Sequence, residues 1–392
     1  MRLIFWCLCL LPAHFFATPL TVDLQARSAI LINLDTGAIL YEKEAHSMAY
    51  PASTTKIATA LFILEQKKIP LTQKVTVSQE ALRKKPLNKM AEAPSHWQEL
   101  DGSMMGLVPG EVVNVETLLH GLLLSSGNDA ANVLAETASG SVPKFMEELN
   151  QYMQRIGCEG TRFSNPHGLH HLEHVTTAYD LALLAQKAFQ IPKFRDIVSR
   201  QSFTKPQTNK QSEIELKQSN RLVTPSKYFY PKAIGGKTGY HSAAMNTLVA
   251  AATHEGRTLI AVLLGSPKKH ERCFNDATRL FEAAFAEKKV ERLLISPSEV
   301  YAKTLPGAKA PLKASLSESL SIAYYPSEEP QAKAFIHWDT LTLPIRQGAR
   351  VGEVRIFDER GRSLAQGPLI AQEPVDATFL FVLQETWHKL FR

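Results

Sequence analysis

Three short strings occur in a fixed order along the 392 residues: Ser53-Thr54-Thr55-Lys56, Ser126-Gly127-Asn128 and Lys237-Thr238-Gly239. Together they contain a nucleophile, groups able to pass a proton, and a clamp for an anion. A serine hydroxyl attacks poorly until a neighbouring base takes its proton, and a lysine amine is that base only where burial or a nearby cation lowers its pKa. Ser53 follows Pro51-Ala52 and opens an apolar-periodic run, Ile57, Leu61 and Leu64. That pattern predicts a helix start at Ser53, with Lys56 one turn later on the same face. Lys237 is the candidate for the nearby cation. Ser-x-x-Lys alone is expected roughly once or twice by chance in a chain this long, so the order of the three strings carries the inference.

The second string interrupts a helical pattern over 115–124, and a further helix is expected from Ala130. A serine and an asparagine at such a break can face one cleft. Ser126 would relay a proton between a leaving amine and Lys56, while Asn128 would hydrogen-bond a substrate amide carbonyl. The third string precedes two β-rich runs, 246–252 and 258–264, joined by His254-Glu255-Gly256-Arg257 as a hairpin turn. Lys-Thr-Gly is therefore expected on or beside an inner strand. There Gly239 would admit a substrate backbone, and Thr238 and Lys237 would hold a carboxylate.

In this order the strings resemble the serine-type D-alanyl-D-alanine carboxypeptidases, low-molecular-mass penicillin-binding proteins of the peptidase S11 type. The likeness extends to Leu107-Val108-Pro109-Gly110-Glu111, Asn165-Pro166-His167-Gly168-Leu169 and Thr177-Ala178-Tyr179-Asp180, the last opening a helix. Two positions depart from the family pattern. Gly127 replaces the central Asp of the second motif, and Tyr240-His241-Ser242 stands where many members carry His-Thr. The resemblance implies an oxyanion hole made by the backbone N–H groups of Ser53 and Tyr240, and a role for Arg272 in holding the terminal carboxylate. His167, between Pro and Gly, is read as pinning a loop.

Composition bounds the partners. A net charge of +6, with no Lys/Arg block interleaved with aromatics, argues against nucleic acid and suits an anionic envelope or lipid surface. Met1-Arg2 and the apolar stretch 3–11 read as a signal peptide over residues 1–20, cleaved near Ala17, with an uncleaved anchor as the alternative. Cys7 and Cys9 would leave with it. Cys158 and Cys273 remain, either paired in an oxidising periplasm or free. No cofactor is implied, and no metal either. The histidines lack His-Glu-x-x-His spacing, and His170-His171 with His174 reads as an exposed loop.

About 390 residues with 44% hydrophobic content imply two domains. Residues 21–288 read as a catalytic α/β (α+β) domain, an antiparallel sheet backed by helices with a mostly helical lobe. The resemblance makes this a β-lactamase/transpeptidase-like fold. Residues 289–376, broken by Pro297, Pro306, Pro311, Pro326 and Pro330, read as a small β-sandwich. Residues 377–392, rich in Phe, Leu and Trp and ending in Lys389 and Arg392, read as an amphipathic tail, which the resemblance implies rests on the inner membrane, with packing on its own domain as the alternative.

The function expected is removal of the terminal D-alanine from peptidoglycan stem peptides ending in D-Ala-D-Ala, through an acyl-enzyme on Ser53 that β-lactam antibiotics would also form. A DD-endopeptidase shares these groups. A serine β-lactamase needs a deacylating carboxylate, for which Glu147, Glu148 and Glu173 lack suitable neighbours, and a non-catalytic penicillin-binding sensor is the remaining alternative.

Overall fold

The computed structural model describes residues 7–9, 18–86, 88, 92–267 and 272–390. Most of the expected leader, including Met1-Arg2 and Ala17, lies outside the described residues, as do Arg392 and the side chain of Lys389. The chain forms two compact units, one over Pro19–Ala286 and the other over the residues from Glu287 onward together with those described up to Thr18.

The first unit is built on a five-stranded antiparallel sheet. Its strands run in the order Ile39–Lys43, Ser28–Asn33, Arg257–Ser266, Met245–His254 and Ala233–His241. The two terminal segments of the unit thus meet at the sheet centre, where Ile30 pairs with Val262 and Ile32 with Ile260. Alternation splits the strand Arg257–Ser266 between two cores. Ile260, Val262 and Leu264 join the core shared with most helices, whereas Leu259, Ala261 and Leu263 pack with Phe274, Leu280 and Phe281 of the helix Arg272–Phe285. Side chains two apart share a face, so burial on both faces makes the strand read as a continuous apolar run. Each fully buried Leu or Ile here contributes about 1.5–3 kcal/mol.

Local signals set the helix starts. Asn114 caps Val115–Leu123 by accepting from the Thr117 N–H at 2.7 Å, and Thr177 caps Ala178–Gln190 by accepting from the Asp180 N–H at 3.0 Å. The helix expected from Ala130 begins earlier, as Asn128–Ser139, because Gly127 takes an extended N-cap conformation and the Asn128 N–H is held by the Ser103 carbonyl at 2.8 Å. Lys-Thr-Gly lies on the edge strand of the sheet, beside the inner strand Met245–His254. The hairpin turn at Glu255-Gly256 has both residues at positive φ, 48° and 75°.

The second unit is a β structure. Its larger antiparallel sheet runs Ala332–Trp338, Arg350–Asp358, Ser363–Ala371, Leu312–Leu316 and Tyr301–Lys303, with Cys7–Cys9 along its first edge. Val290–Ile295 and Leu320–Tyr324 form a separate two-stranded ladder, and Leu312, Val354, Ile356 and Leu369 lie in the core. The terminal helix Phe379–Leu390 follows. Among the described residues no helix is long and apolar enough to cross a membrane.

Candidate active site

The nucleophile string begins in a strained turn. Ala52 sits at φ 49°, in the left-handed region that L-residues avoid, and leads into a 3-10 turn, Ala52–Thr55, continued by the helix Lys56–Leu61. Several contacts hold it there. Pro51 O accepts from Thr54 Oγ1 at 2.7 Å and from Thr247 Oγ1 at 2.8 Å, while Ala52 O accepts from Thr55 Oγ1 at 2.8 Å. Gly168, at φ 93°, leaves room for the Ala52 carbonyl, since a Cβ there would lie 1.9 Å from that oxygen. Gly239 also packs against this turn, because a Cβ at this position would stand 2.7 Å from the Ser53 nitrogen. The Ser53 N–H has no acceptor among the described residues.

Lys56 is fully buried, and its Nζ has three oxygen neighbours: Ser53 Oγ at 2.9 Å, Asn128 Oδ1 at 2.8 Å and His167 O at 2.6 Å. Burial lowers its pKa well below the usual lysine value, and the charge of Lys237 lowers it further, against the opposing pull of Asp129. A neutral amine has two N–H donors and one lone pair. With the donors on Asn128 and His167, the lone pair is left for the Ser53 hydroxyl.

Lys237 is also fully buried, its Nζ donating to Thr238 O at 2.8 Å, and burial brings its pKa down to about 7. A cavity of about 610 Å³ opens over these groups, lined by Ser53, Ser126, Asn128, Thr238, Gly239 and Tyr240 among others. The structure therefore gathers eight of the nine residues picked from sequence, with Lys56 and Lys237 beneath the cavity wall. Ser126 is at φ 62° and makes no hydrogen bond with the described residues. The ninth, Arg272, is turned away: its Nη1 donates to Gln25 Oε1 at 2.6 Å, and it does not line the cavity. Arg221 is among the residues that line the cavity.

Sequence reading missed other participants. Ser219 lines the cavity and its hydroxyl lies 2.9 Å from Thr238 Oγ1. Glu99 and Asp101 supply carboxylates to the wall, Glu99 being 3.4 Å from Lys85 Nζ. Glu148 and Glu173 are instead paired with Lys67 and Arg162, off the cavity. Asp129, fully buried, accepts from the N–H groups of Met105, Gly106 and Leu107 and so shapes the loop carrying Ser103. Its place directly after Ser-Gly-Asn was the only signal available.

The histidines divide. The His167 ring pins its loop, facing His96 O at 3.0 Å and accepting from the Leu169 N–H at 3.2 Å, but its carbonyl contact with Lys56 had no sequence signal. His174, expected on an exposed loop, is 1% exposed and lies 2.8 Å from Thr55 Oγ1. His170 does lie at the surface, where its ring is 5.2 Å from that of His241. Cys158 and Cys273 are both buried, and no disulfide joins them.

Comparison with known proteins agrees with this geometry. The profile of peptidase S11, described as D-alanyl-D-alanine carboxypeptidase, matches residues 15–268. D-alanyl-D-alanine carboxypeptidase DacF of Bacillus subtilis is 31% identical over 372 residues, covering 92% of this chain and 89% of the relative. The DacC enzyme of Escherichia coli is 31% identical over 389 residues, covering 92% and 88%. Penicillin binding protein 5 from Haemophilus influenzae superposes with a TM-score of 0.62 at 28% identity, covering 91% of this chain and 99% of that one.

Proposed function

The chain belongs to the D-alanyl-D-alanine carboxypeptidase family of serine peptidases, and from that membership we propose that it removes the terminal D-alanine from peptidoglycan stem peptides ending in D-Ala-D-Ala. The observation that carries this reading is the Lys56 amine, buried, with two oxygens to receive its N–H groups and Ser53 Oγ 2.9 Å from its nitrogen.

Ser53 Oγ attacks the penultimate carbonyl carbon as Lys56 Nζ takes the hydroxyl proton. The oxyanion is held by the backbone N–H groups of Ser53 and Tyr240, fixed donors aimed where charge develops. Lys56 then returns the proton, through Ser126, to the amine of departing D-alanine, and water hydrolyses the acyl-enzyme. Asn128 Nδ2 donates to a substrate amide carbonyl in this reading. The terminal carboxylate meets Thr238 and Ser219, with the charge of Lys237 behind them and Arg221 on the same wall. A β-lactam mimics the dipeptide and acylates Ser53.

We further propose that the protein works in the periplasm, exported by its leader and resting on the inner membrane through its terminal helix. Phe379, Leu380, Leu383 and Trp387 on that helix are 76%, 73%, 51% and 66% exposed. An apolar stripe of this kind suits a lipid interface.

Fluorescent penicillin tests the central reading. Wild-type protein is expected to label covalently and Ser53→Ala to remain unlabelled, and labelling that survives the substitution overturns the assignment. Steady D-alanine release from a pentapeptide excludes a silent sensor. Rapid penicillin turnover would favour a β-lactamase, and preference for a crosslinked dimer an endopeptidase.

A further inference from the structure

We propose that His174 is a positioning residue for catalysis, acting on the Ser53 N–H through the Thr55 hydroxyl and the Ala52 carbonyl. The inference rests on the reading of Ser53 N–H as an oxyanion donor.

Each link has a fixed direction. The backbone N–H of Ser164 donates to His174 Nδ1 at 3.0 Å, so the ring proton lies on Nε2. Nε2 is 2.8 Å from Thr55 Oγ1, whose own proton goes to Ala52 O at 2.8 Å. The threonine oxygen therefore receives from His174 and donates to Ala52. Ala52 O and Ser53 N belong to one peptide unit. A hydrogen bond to the carbonyl oxygen draws electron density from the amide and strengthens its N–H as a donor, so each bond in the chain polarises the next. That N–H, with no acceptor among the described residues, is the end of the chain.

Nothing in this relay transfers a proton. His174, Thr55 and Ala52 are all at most 1% exposed, so water does not compete for the links. Burial, followed by the charges of His241, His171, His170 and Lys56, holds the His174 pKa down to about 3, keeping one Nε2 proton across the working pH range. The same bonds orient the Ala52–Ser53 peptide at its left-handed turn.

A single oxyanion donor is worth about 10²–10³ in rate. Strengthening it by roughly 10–30% corresponds to about two- to eightfold. The test uses the full-length protein with three variants, Thr55→Val, Thr55→Ser and His174→Phe, and follows a slowly deacylated β-lactam. Thr55→Val and His174→Phe are expected to slow acylation roughly two- to eightfold with pre-acylation affinity unchanged within about twofold, since the donor acts in the transition state. In both, the acyl ester carbonyl band should move to higher infrared frequency, reporting a weaker oxyanion bond, while Thr55→Ser restores rate and band. The double variant should be no slower than the worse single variant.

The band is read only from acylated, hence folded, molecules, so lost stability does not mask it. An unmoved band in Thr55→Val and His174→Phe overturns the relay and leaves a packing role. Wild-type protein that forms no Ser53 adduct instead overturns the underlying catalytic reading.

Discussion

The carbonyl oxygen of His167 lies 2.6 Å from Lys56 Nζ, although 111 residues separate them in sequence. A backbone acceptor cannot be removed by changing a side chain, and it occupies one amine proton permanently. With Asn128 Oδ1 occupying the second, Lys56 is held in the orientation that presents its lone pair to Ser53.

Lys56→Arg should abolish this geometry, because a guanidinium stays protonated and cannot act as base. Acylation by penicillin is expected to fall by about 10²–10⁴, measured as the labelling rate, with the folded fraction followed by circular dichroism. A rate within tenfold of wild type would remove Lys56 as the base.

Lys237 gives a pH dependence. Burial holds its pKa near 7, so its charge is lost as pH rises through neutrality and capture of the substrate carboxylate should weaken above pH 7. The measurement is the concentration dependence of acylation between pH 6 and pH 9. An apparent affinity flat across that range would sink the clamp.

The same lysine affects stability with a definite sign. Unfolded lysine titrates near 10.5 and folded Lys237 near 7, so between these values the unfolded chain binds more protons and stability rises with pH. Lys237→Met lacks this term. The stability deficit of wild type relative to the variant should shrink steadily from pH 7 to pH 10 in denaturant titrations.

Gly168→Ala places a Cβ against the Ala52 carbonyl at a backbone φ of 93°. Backbone cannot yield as a flexible side chain would, so stability should drop by roughly 3 kcal/mol and acylation with it. Thermal unfolding and labelling rate check both, and an unchanged variant would show that the Ala52 turn has slack.

Away from the cavity, Lys205 and Glu111 form a wholly buried ion pair at 2.7 Å, braced by Thr208 and Gln211. Burial raises the Glu111 pKa, but the hydrogen bonds from Lys205, the Val108 N–H and Gln211 outweigh it and bring the net value below the ordinary one. Lys205→Met strands the carboxylate and should destabilise the protein by about 3–5 kcal/mol. A loss below 1 kcal/mol on urea unfolding would contradict this.

Much of the site was legible because its chemistry sits in side chains at short spacing. Ser53 and Lys56 fall one helical turn apart, and Lys237-Thr238-Gly239 lies on a strand flagged by the β-rich runs after it. Arg272 shows the limit: the resemblance put it near the site, but its guanidinium donates to Gln25 instead. His174 shows another, since three histidines within five residues looked like a solvated loop, whereas His174 faces inward onto Thr55 and His170 outward.

The sequence by itself determined the reacting groups, their order, the hairpin turn at 254–257 and the helix starts at Val115 and Ala178. Each depends on interactions within a few residues, where periodicity and capping act. Tertiary structure alone decided that Lys56 is stripped of water, that a carbonyl from residue 167 fixes its protons, and that Gly168 and Gly239 make room for the Ala52–Ser53 peptide. Those outcomes follow from burial and close approach between distant segments, and desolvation, which turns a lysine into a base, exists only once the chain has folded around it.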